Sequence, residues 1–139
     1  DRLVPYLYHT ACQTHQSGIP MIRPLVMEYP KDPIAKTQNL SYMLGDALLI
    51  SPGFDRDEYE LYLPEGRWQD IESKEVYEGM TFVHIENKAF ADGGTSLRVF
   101  QKEGTSIPLF AQKEVLHVPA QLWKQEDLEF MTFQKKDVD

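Results

Sequence analysis

The sequence predicts two architectures in succession: an α/β portion over residues 1–52, then an antiparallel β-sandwich over residues 53–139 that dominates the fold. Three observations predict this. Apolar side chains first recur at helical spacing, two almost continuous apolar runs follow, and short alternating segments separated by turn residues come last. The pattern changes near Pro52.

The chain opens with a predicted helix over Leu3–Gln16. Leu3, Leu7 and Ala11 recur at helical spacing, and Gly18 suits the left-handed position that ends a helix. The sequence does not begin with Met, and its first residues already follow the helical pattern. We therefore expect a segment cut from a longer protein.

Two apolar strands and a second helix are predicted next. The run Met21–Tyr29 is almost entirely apolar, as is typical of a strand buried on both faces in a parallel sheet. A short helix is predicted from Pro33, a residue favoured at the first helical position, to about Tyr42 or Met43. The run Ala47–Pro52 predicts a second buried strand, which completes an α/β order.

The remaining residues predict a sandwich of short strands. Tyr59, Leu61 and Leu63 share one face of a strand, and Pro64–Gly66 has the composition of a turn. Such short strands between turns indicate an antiparallel sandwich. The further runs are Trp68–Ile71, Thr81–Ile85, Leu97–Phe100, Ile107–Phe110, Leu116–Val118 and Leu128–Phe133.

Composition excludes several classes of function. The chain carries 22 acidic and 14 basic residues, for a net charge of -8, which argues against nucleic acid or an anionic membrane as partner. No apolar run has the length of a membrane span. The single cysteine excludes a disulfide framework and a multi-cysteine metal site. A single cysteine and no visible signal segment favour the cytoplasm, but they do not settle the compartment.

Acidic residues are the first candidates for catalytic or metal-binding groups. The densest cluster is Asp55, Asp57, Glu58 and Glu60, which we interpret as a solvated loop entering a strand. A calcium site is the alternative, but the spacing is not that of an EF-hand loop. Asp92 precedes two glycines and is interpreted as a turn residue rather than a catalytic aspartate.

Histidine and cysteine do not assemble a site in the sequence. His9 and His15 are six residues apart, which is not the spacing of metal ligands on a helix. His84 and His117 fall within strand patterns and are expected to be partly buried structural residues. Cys12 is expected to be a small core residue. The sequence therefore assigns no catalytic, cofactor-binding or metal-binding residue.

Four aromatic residues, Trp68, Trp123, Tyr62 and Tyr77, are candidates for a carbohydrate-binding platform because sugar rings stack on aromatic faces. The favoured interpretation is that Trp68 packs in the sandwich core and Tyr62 covers its edge.

Several stretches together carry a family resemblance. Their order and spacing resemble glycoside hydrolase family 31, the α-glucosidase and α-xylosidase family, as far as about Phe110. The last stretch is a degraded copy, with Lys102 and Glu103 where the family has Arg-Ala before the glycine. The residues after Phe110 resemble no family that we can name. The stretches are Arg2–Tyr8, Gly18–Leu25, Glu28–Asp32, Tyr42–Pro52, Leu61–Asp70 and, more weakly, Val99–Leu109.

The resemblance implies a fold and a chemistry. Residues 1–52 would be the last helix–strand–helix part of a (β/α)8 catalytic barrel, and residues 53–139 the proximal C-terminal β-sandwich. Family members hydrolyse α-linked sugars with retention, using two aspartates and a covalent glycosyl-enzyme intermediate. Both aspartates lie upstream of the stretch that matches Arg2. Asp32 and Asp46 therefore do not inherit these roles.

The matched residues then have structural interpretations. Arg23 lies in an apolar run, so it needs a carboxylate or carbonyl partner, and we expect a structural ion pair rather than a substrate contact. Gly45 and Gly66 are turn residues, and Trp68 anchors the hairpin after its turn. These residues are expected to build a scaffold.

Two readings of function follow. In the first, the chain is a C-terminal segment of a retaining α-glycosidase whose α-linked oligosaccharide substrate binds in the upstream barrel, and the chain alone is inactive. In the second, it is a non-catalytic carbohydrate-binding or structural module, which predicts that Trp68 or Trp123 is exposed. We also expect a homo-oligomer, because apolar residues would be left without their barrel. These residues are Leu25, Val26, Met27, Leu48, Leu49 and Ile50.

Overall fold

The computed structural model describes residues 4–38, 40–52, 58–86, 97–110, 124 and 128–135. These residues form mostly antiparallel sheets with few helices, consistent with a β-sandwich. No helix among them is both long and apolar enough to cross a membrane. The helices are α1 (Val4–Ser17), α2 (Leu25–Glu28) and a 3-10 helix (Ala35–Thr37). The strands are β1 (Ile22–Pro24), β2 (Tyr42–Leu44), β3 (Leu48–Pro52), β4 (Glu58–Leu63), β5 (Arg67–Asp70), β6 (Val76–Glu78), β7 (Thr81–Glu86), β8 (Leu97–Lys102), β9 (Thr105–Phe110) and β10 (Leu128–Phe133).

Three sheets organise the described residues. One sheet has six strands in the order β1-β2-β3-β8-β5-β6, and the other two are the pairs β4-β7 and β9-β10. Every pairing among these strands of the described ranges is antiparallel. Strand β3 pairs with β8, where Leu49 lies opposite Phe100. One hydrogen-bonded sheet therefore contains strands from both sides of residue 52.

The six-stranded sheet is covered on both faces. Neighbouring residues of β3 point in opposite directions, so Leu49 joins one apolar cluster while Leu48 and Ile50 join the other. The Leu49 cluster lies against the β4-β7 pair and includes Tyr59, Leu61, Leu63, Trp68, Ile85 and Phe100. The Leu48 cluster lies against α1 and β9 and includes Tyr6, Ala47, Val99, Ile107 and Leu109.

The predicted parallel sheet is wrong, although the predicted burial of the second apolar run is confirmed. Leu48, Leu49 and Ile50 are all buried, and β3 lies between β2 and β8, antiparallel to both. A continuous apolar run indicates that both faces of a strand are covered. It does not indicate the direction of the neighbouring strands, and here an antiparallel sheet is covered on both sides.

The first apolar run forms a different structure from the predicted strand. Only β1 is extended, at the edge of the sheet, and Pro24 then starts α2. Proline has no N–H to donate to a sheet ladder, so it is well tolerated on such an edge strand. Ile22 is 58% exposed, whereas Arg23 is 4% exposed. The apolar residue thus faces outward and the charged one inward.

The predicted helix from Pro33 is also wrong beyond its first turn. Only Ala35–Thr37 is helical, and Tyr42 belongs to β2, where it pairs with Ile50. Pairing with β3 outweighs local helical preference, because it places β2 within the six-stranded sheet. Helix α1 is confirmed, but its buried positions include Tyr6 and Thr10, while Ala11 is exposed.

The short strands of the second portion are confirmed wherever the structure describes them. The predicted runs correspond to β4, β5, β7, β8, β9 and β10. The run Leu116–Val118 lies outside the described residues, and β6 was not predicted. Gly66 has a φ of 105°, in the left-handed region that favours glycine, which confirms the turn before β5.

Candidate functional site

Arg23 is a buried cation held by three oxygens. Its Nη1 atom donates to Glu28 Oε1 at 2.7 Å and to Asp46 Oδ1 at 2.6 Å, and its Nε atom donates to the Pro20 carbonyl at 2.6 Å. The predicted carboxylate and carbonyl partners of this residue are confirmed. The guanidinium thereby ties β1, α2 and the turn between β2 and β3 together.

A surface cleft of about 390 Å³ adjoins this ion cluster. Its walls include three carboxylates, from Glu28, Asp32 and Glu65, together with Tyr29 and Met80. Convergent carboxylates are what acid–base hydrolysis of a glycosidic bond needs. The cleft is therefore the place in this chain to test for such chemistry.

Two of the three carboxylates are engaged in structural contacts. Asp32 Oδ2 accepts a 2.6 Å hydrogen bond from the Tyr62 hydroxyl, and Asp32 Oδ1 accepts from the Ile34 N–H at 2.9 Å. The Tyr62 hydrogen bond is the main cause that lowers the pKa of Asp32. An ionised carboxylate only accepts hydrogen bonds, so Asp32 is unsuited to be a general acid. Glu28 is held by Arg23.

Tyr29 forms the aromatic wall of the cleft. Lys102 Nζ lies 5.4 Å from the centre of its ring, within the range of a cation–π contact. The Tyr29 hydroxyl is buried and has no hydrogen-bond partner among the described residues. Burial raises the pKa of this phenol, so it stays protonated at neutral pH.

The aromatic candidates for a carbohydrate platform are buried in the core or packed against it where they are described. Trp68 is fully buried and its Nε1 atom donates to the Pro64 carbonyl at 2.9 Å. Tyr62 is 1% exposed, and Tyr77 packs edge-on against Phe100 with ring centres 6.0 Å apart. The predicted core position of Trp68 and its anchoring of the hairpin are confirmed. Trp123 lies outside the described residues.

The structure brings His84 together with three glutamates, which the sequence did not predict. The Nδ1 atom of His84 lies 2.8 Å from Glu60 Oε1, and its Nε2 atom lies 3.3 Å from Glu58 Oε2. Ligand atoms of Glu58, His84 and Glu86 lie within 4.8 Å of one another. The hydrogen bond to Glu60 is the main cause that raises the pKa of His84.

His84 was expected to be partly buried, and that expectation is wrong, since its side chain is 49% exposed. It points to the solvent side of β7, whereas its neighbour Ile85 points into the core. Alternation along each strand was a usable signal for which residues face solvent. The register between β4 and β7 was not visible in the sequence.

Asp70 is a buried carboxylate that sequence analysis missed. It is 2% exposed, and its Oδ2 atom accepts from Arg98 Nη2 at 2.7 Å. Its Oδ1 atom accepts from the backbone N–H groups of Glu72 and Ser73. The group therefore closes the turn after β5 and links it to β8, which is a structural task.

The other candidates do not form a site among the described residues. His9 and His15 are exposed on α1. Cys12 is also exposed, so its predicted core position is wrong, because the buried side of α1 contains Tyr6 and Thr10 instead. Glu58 and Glu60 are exposed, as expected for a solvated cluster. Four candidates lie outside the described residues: Asp55, Asp57, Asp92 and His117.

Comparison with known families gives one match to a family model. It is described as the glycosyl hydrolase family 31 C-terminal domain, and it covers residues 18–114. Residue 18 is the first residue after α1. The match agrees with the resemblance drawn from the sequence.

Individual relatives are similar over most of this chain. Neutral α-glucosidase AB of Homo sapiens is 36% identical over 110 residues, which cover 76% of this chain and 11% of the relative. The chain thus spans about a tenth of the length of that curated relative.

Solved structures extend the comparison to the fold. A family 31 dextranase of Flavobacterium johnsoniae complexed with glucose superposes with a TM-score of 0.74 at 27% identity, covering 97% of this chain and 16% of that one. A cycloalternan-forming enzyme of Listeria monocytogenes, in complex with a pentasaccharide substrate, has a TM-score of 0.68 at 36% identity. That alignment covers 78% of this chain and 10% of that enzyme.

Proposed function

We propose, since this chain belongs to glycoside hydrolase family 31, that it is the C-terminal scaffold of a longer retaining α-glycosidase acting on α-linked glucosides or xylosides. The observation that carries the proposal is the match of residues 18–114 to the family's C-terminal domain. The proposal includes the absence from this chain of both catalytic aspartates, which act in the family through a covalent glycosyl-enzyme intermediate.

The contacts of three charged side chains support a scaffold role. Arg23, Asp32 and Asp70 each bond to groups from other elements of the chain. A retaining site needs two carboxyls about 5 Å apart, one of them protonated. In the cleft, Asp32 is held ionised by Tyr62, and Glu28 is held by Arg23. These contacts of two of the three carboxylates in the cleft support the proposed absence of a catalytic acid and nucleophile pair.

We assign helix α1 to the end of the catalytic barrel. The family match begins immediately after this helix, which supports a boundary there. The predicted barrel portion extended to residue 52, but β1, β2 and β3 form one sheet with β8. A division after α1 leaves that sheet intact, and the sandwich would then begin near β1.

The substrate that we propose is that of the longer protein and not of this chain alone. The similar proteins are named as an α-glucosidase, a dextranase and a cycloalternan-forming enzyme, and the last was solved with a pentasaccharide. We therefore propose an α-linked oligosaccharide as substrate of the longer protein, bound in its barrel. The net charge of -8 favours such a ligand over nucleic acid.

The proposal is tested by comparing this chain with the longer protein that carries it. The longer protein should hydrolyse a chromogenic α-glucoside or α-xyloside, and NMR of the first-formed sugar should show the α-anomer. The 139-residue chain should show no turnover above buffer. Turnover by this chain alone, or an inverted product from the longer protein, would contradict the proposal.

The alternative of a carbohydrate-binding module loses its main support, because Trp68 is fully buried. It now depends on Trp123, which the structure does not describe. Titration of the chain with an α-linked oligosaccharide distinguishes the two. A scaffold should show no saturable quenching of tryptophan fluorescence.

A further inference from the structure

We propose that the outer side of helix α1, together with the adjoining face of β1, is the surface on which the upstream part of the longer protein packs. The inference rests on the proposed function, because the packing partner is the part of that longer protein which precedes α1. The residues that define this α1–β1 surface are Tyr8, Ala11, Cys12, Ile19 and Ile22.

Charged residues are almost absent from the segment that forms the α1–β1 surface. Of the 22 acidic and 14 basic residues of the chain, only Arg23 lies within residues 4–27. Its side chain points inward and is paired with Glu28 and Asp46. Most charged side chains of a protein lie on its solvated surface, whereas the centre of an interface is depleted of them. The composition of residues 4–27 is therefore that of an interface.

Helix α1 is packed on one side and apolar on the other. Tyr6 and Thr10 are buried against the sheet. Tyr8, Ala11 and Cys12 follow the i, i+3, i+4 spacing of a single helical stripe, and Tyr8 lies about 200° around the helix from Tyr6. All three residues of this stripe are exposed, Tyr8 by 51%. A surface helix needs one apolar stripe to face its core, so the second stripe indicates a second packing partner.

The face of the sheet that α1 covers continues beyond the helix. Leu48 pairs with Leu44, and Leu44 pairs with Ile22, so these three side chains lie on one face. Leu48 is fully buried in the cluster beneath α1, Leu44 is half-buried and Ile22 is 58% exposed. Ile19, between α1 and β1, is 49% exposed. The cover of this face therefore ends before β1 and leaves an apolar margin beside α1.

The length of the relatives identifies the occupant. The matched portion is 11% of the human α-glucosidase and 16% of the dextranase chain, so in both proteins a much larger part lies outside it. In the longer protein that we propose, the preceding chain joins α1 directly and so enters beside this surface. A second copy of this chain is the competing occupant, and the experiment below distinguishes the two.

Thiol labelling of the longer protein under native conditions tests the inference. Cys12 and the introduced cysteine of Ile22→Cys should react with N-ethylmaleimide at least about tenfold more slowly than that of Val76→Cys, because their labelling requires local opening. Val76 is the matched control, since it is 45% exposed on β6, at the opposite edge of the same sheet. A second control is Glu72→Cys, at an exposed charged position. Peptide mass spectrometry quantifies each position, and the rates in urea correct for intrinsic reactivity.

The 139-residue chain, at a concentration where light scattering shows a monomer, supplies the reference. There Cys12 and Ile22→Cys should react about as fast as Val76→Cys, with circular dichroism confirming the fold. Protection of Cys12 in this monomer would overturn the inference.

Three results for the longer protein are decisive. Equal rates at Cys12, Ile22→Cys and Val76→Cys would overturn the inference, even where the protein hydrolyses α-glucosides with retention. Protection that is lost when an oligomer dissociates on dilution would overturn it in favour of a second copy. Protection that persists in the monomer supports it, and a protected protein without glycosidase activity would contradict the proposed function alone.

Discussion

The Tyr62 hydroxyl donates a 2.6 Å hydrogen bond to Asp32, a residue thirty positions earlier in the chain. The bond joins the loop after α2 to the last part of β4. It shifts the pKa of each group in the direction that preserves the hydrogen bond. It lowers the pKa of Asp32. Burial first, and then this bond, raise the pKa of Tyr62 to about 12.

The hydrogen bond between Tyr62 and Asp32 predicts that the free energy of unfolding decreases at both low and high pH. Asp32 has a lowered pKa when folded, so its contribution is present above the ordinary value of 3.8 and is lost as the pH falls below it. Tyr62 has a raised pKa when folded, so its contribution is present below 10 and is lost as the pH rises from 10 towards 12. Urea unfolding of the parent and of Tyr62→Phe across pH checks this. In Tyr62→Phe the free energy of unfolding should depend less on pH at both the acid and the alkaline end. An unchanged dependence at the acid end would contradict the assignment.

A second prediction concerns Gly45, which has a φ of 67°. A Cβ atom there would contact the Tyr6 hydroxyl, which donates a 2.6 Å hydrogen bond to the Leu44 carbonyl. Gly45→Ala should cost about 1–3 kcal/mol in free energy of unfolding, from the positive φ and this contact together. Gly18→Ala is the control, because its φ is 78° with no atom within 4 Å of the added Cβ.

The contact at Gly45 is isolated by a double substitution. Tyr6→Phe removes the clashing oxygen, so Gly45→Ala should cost less in that background than in the parent. The positive φ and a 3.0 Å approach of the added Cβ to Thr10 remain, so the residual cost should still exceed that of Gly18→Ala. Equal costs in both backgrounds would mean that the two residues do not touch.

A third prediction tests the covered six-stranded sheet. Leu49 is fully buried between β3 and the β4-β7 pair, so Leu49→Ala should lower the free energy of unfolding by about 2–5 kcal/mol. Val76 on edge strand β6 is 45% exposed, and Val76→Ala should change the free energy of unfolding by less than about 0.5 kcal/mol. Denaturant titrations measure both. Similar small values would show that Leu49 is not in a packed core.

A fourth prediction concerns Arg23. Lysine keeps the charge but lacks the planar group that reaches Glu28, Asp46 and the Pro20 carbonyl together. Arg23→Lys should therefore lower the free energy of unfolding by about 1–3 kcal/mol, measured against the exposed control Glu72→Gln. A lysine variant as stable as the parent would show that charge alone suffices.

The fifth prediction is self-association, and the structure leaves fewer exposed apolar residues to cause it than the sequence predicted. Leu25, Leu48, Leu49 and Ile50 are buried within the chain, so the expected exposure of these four residues is wrong. Val26 and Met27 remain exposed. Light scattering should show dimers or larger species that dissociate when both residues are changed to serine. A monomeric parent chain would contradict the prediction.

The sequence alone was sufficient for the features that depend on neighbours along the chain. Helical spacing located α1, alternation located β4, and a short run between turn residues located β7. The apolar run Ala47–Pro52 indicated a strand covered on both faces. The family resemblance also came from local stretches in a fixed order. For the helix and the strands the signal is local, because side-chain periodicity follows directly from backbone geometry.

Tertiary structure decided what depends on segments far apart in the chain. The direction of β3 relative to β8, the bond between Tyr62 and Asp32, and the meeting of His84 with Glu58 are relations of this kind. Periodicity shows which face of a strand is buried, but a strand can satisfy that pattern with neighbours in either direction and in several registers. Packing of both faces of the sheet selects one arrangement, and that selection places the charged groups.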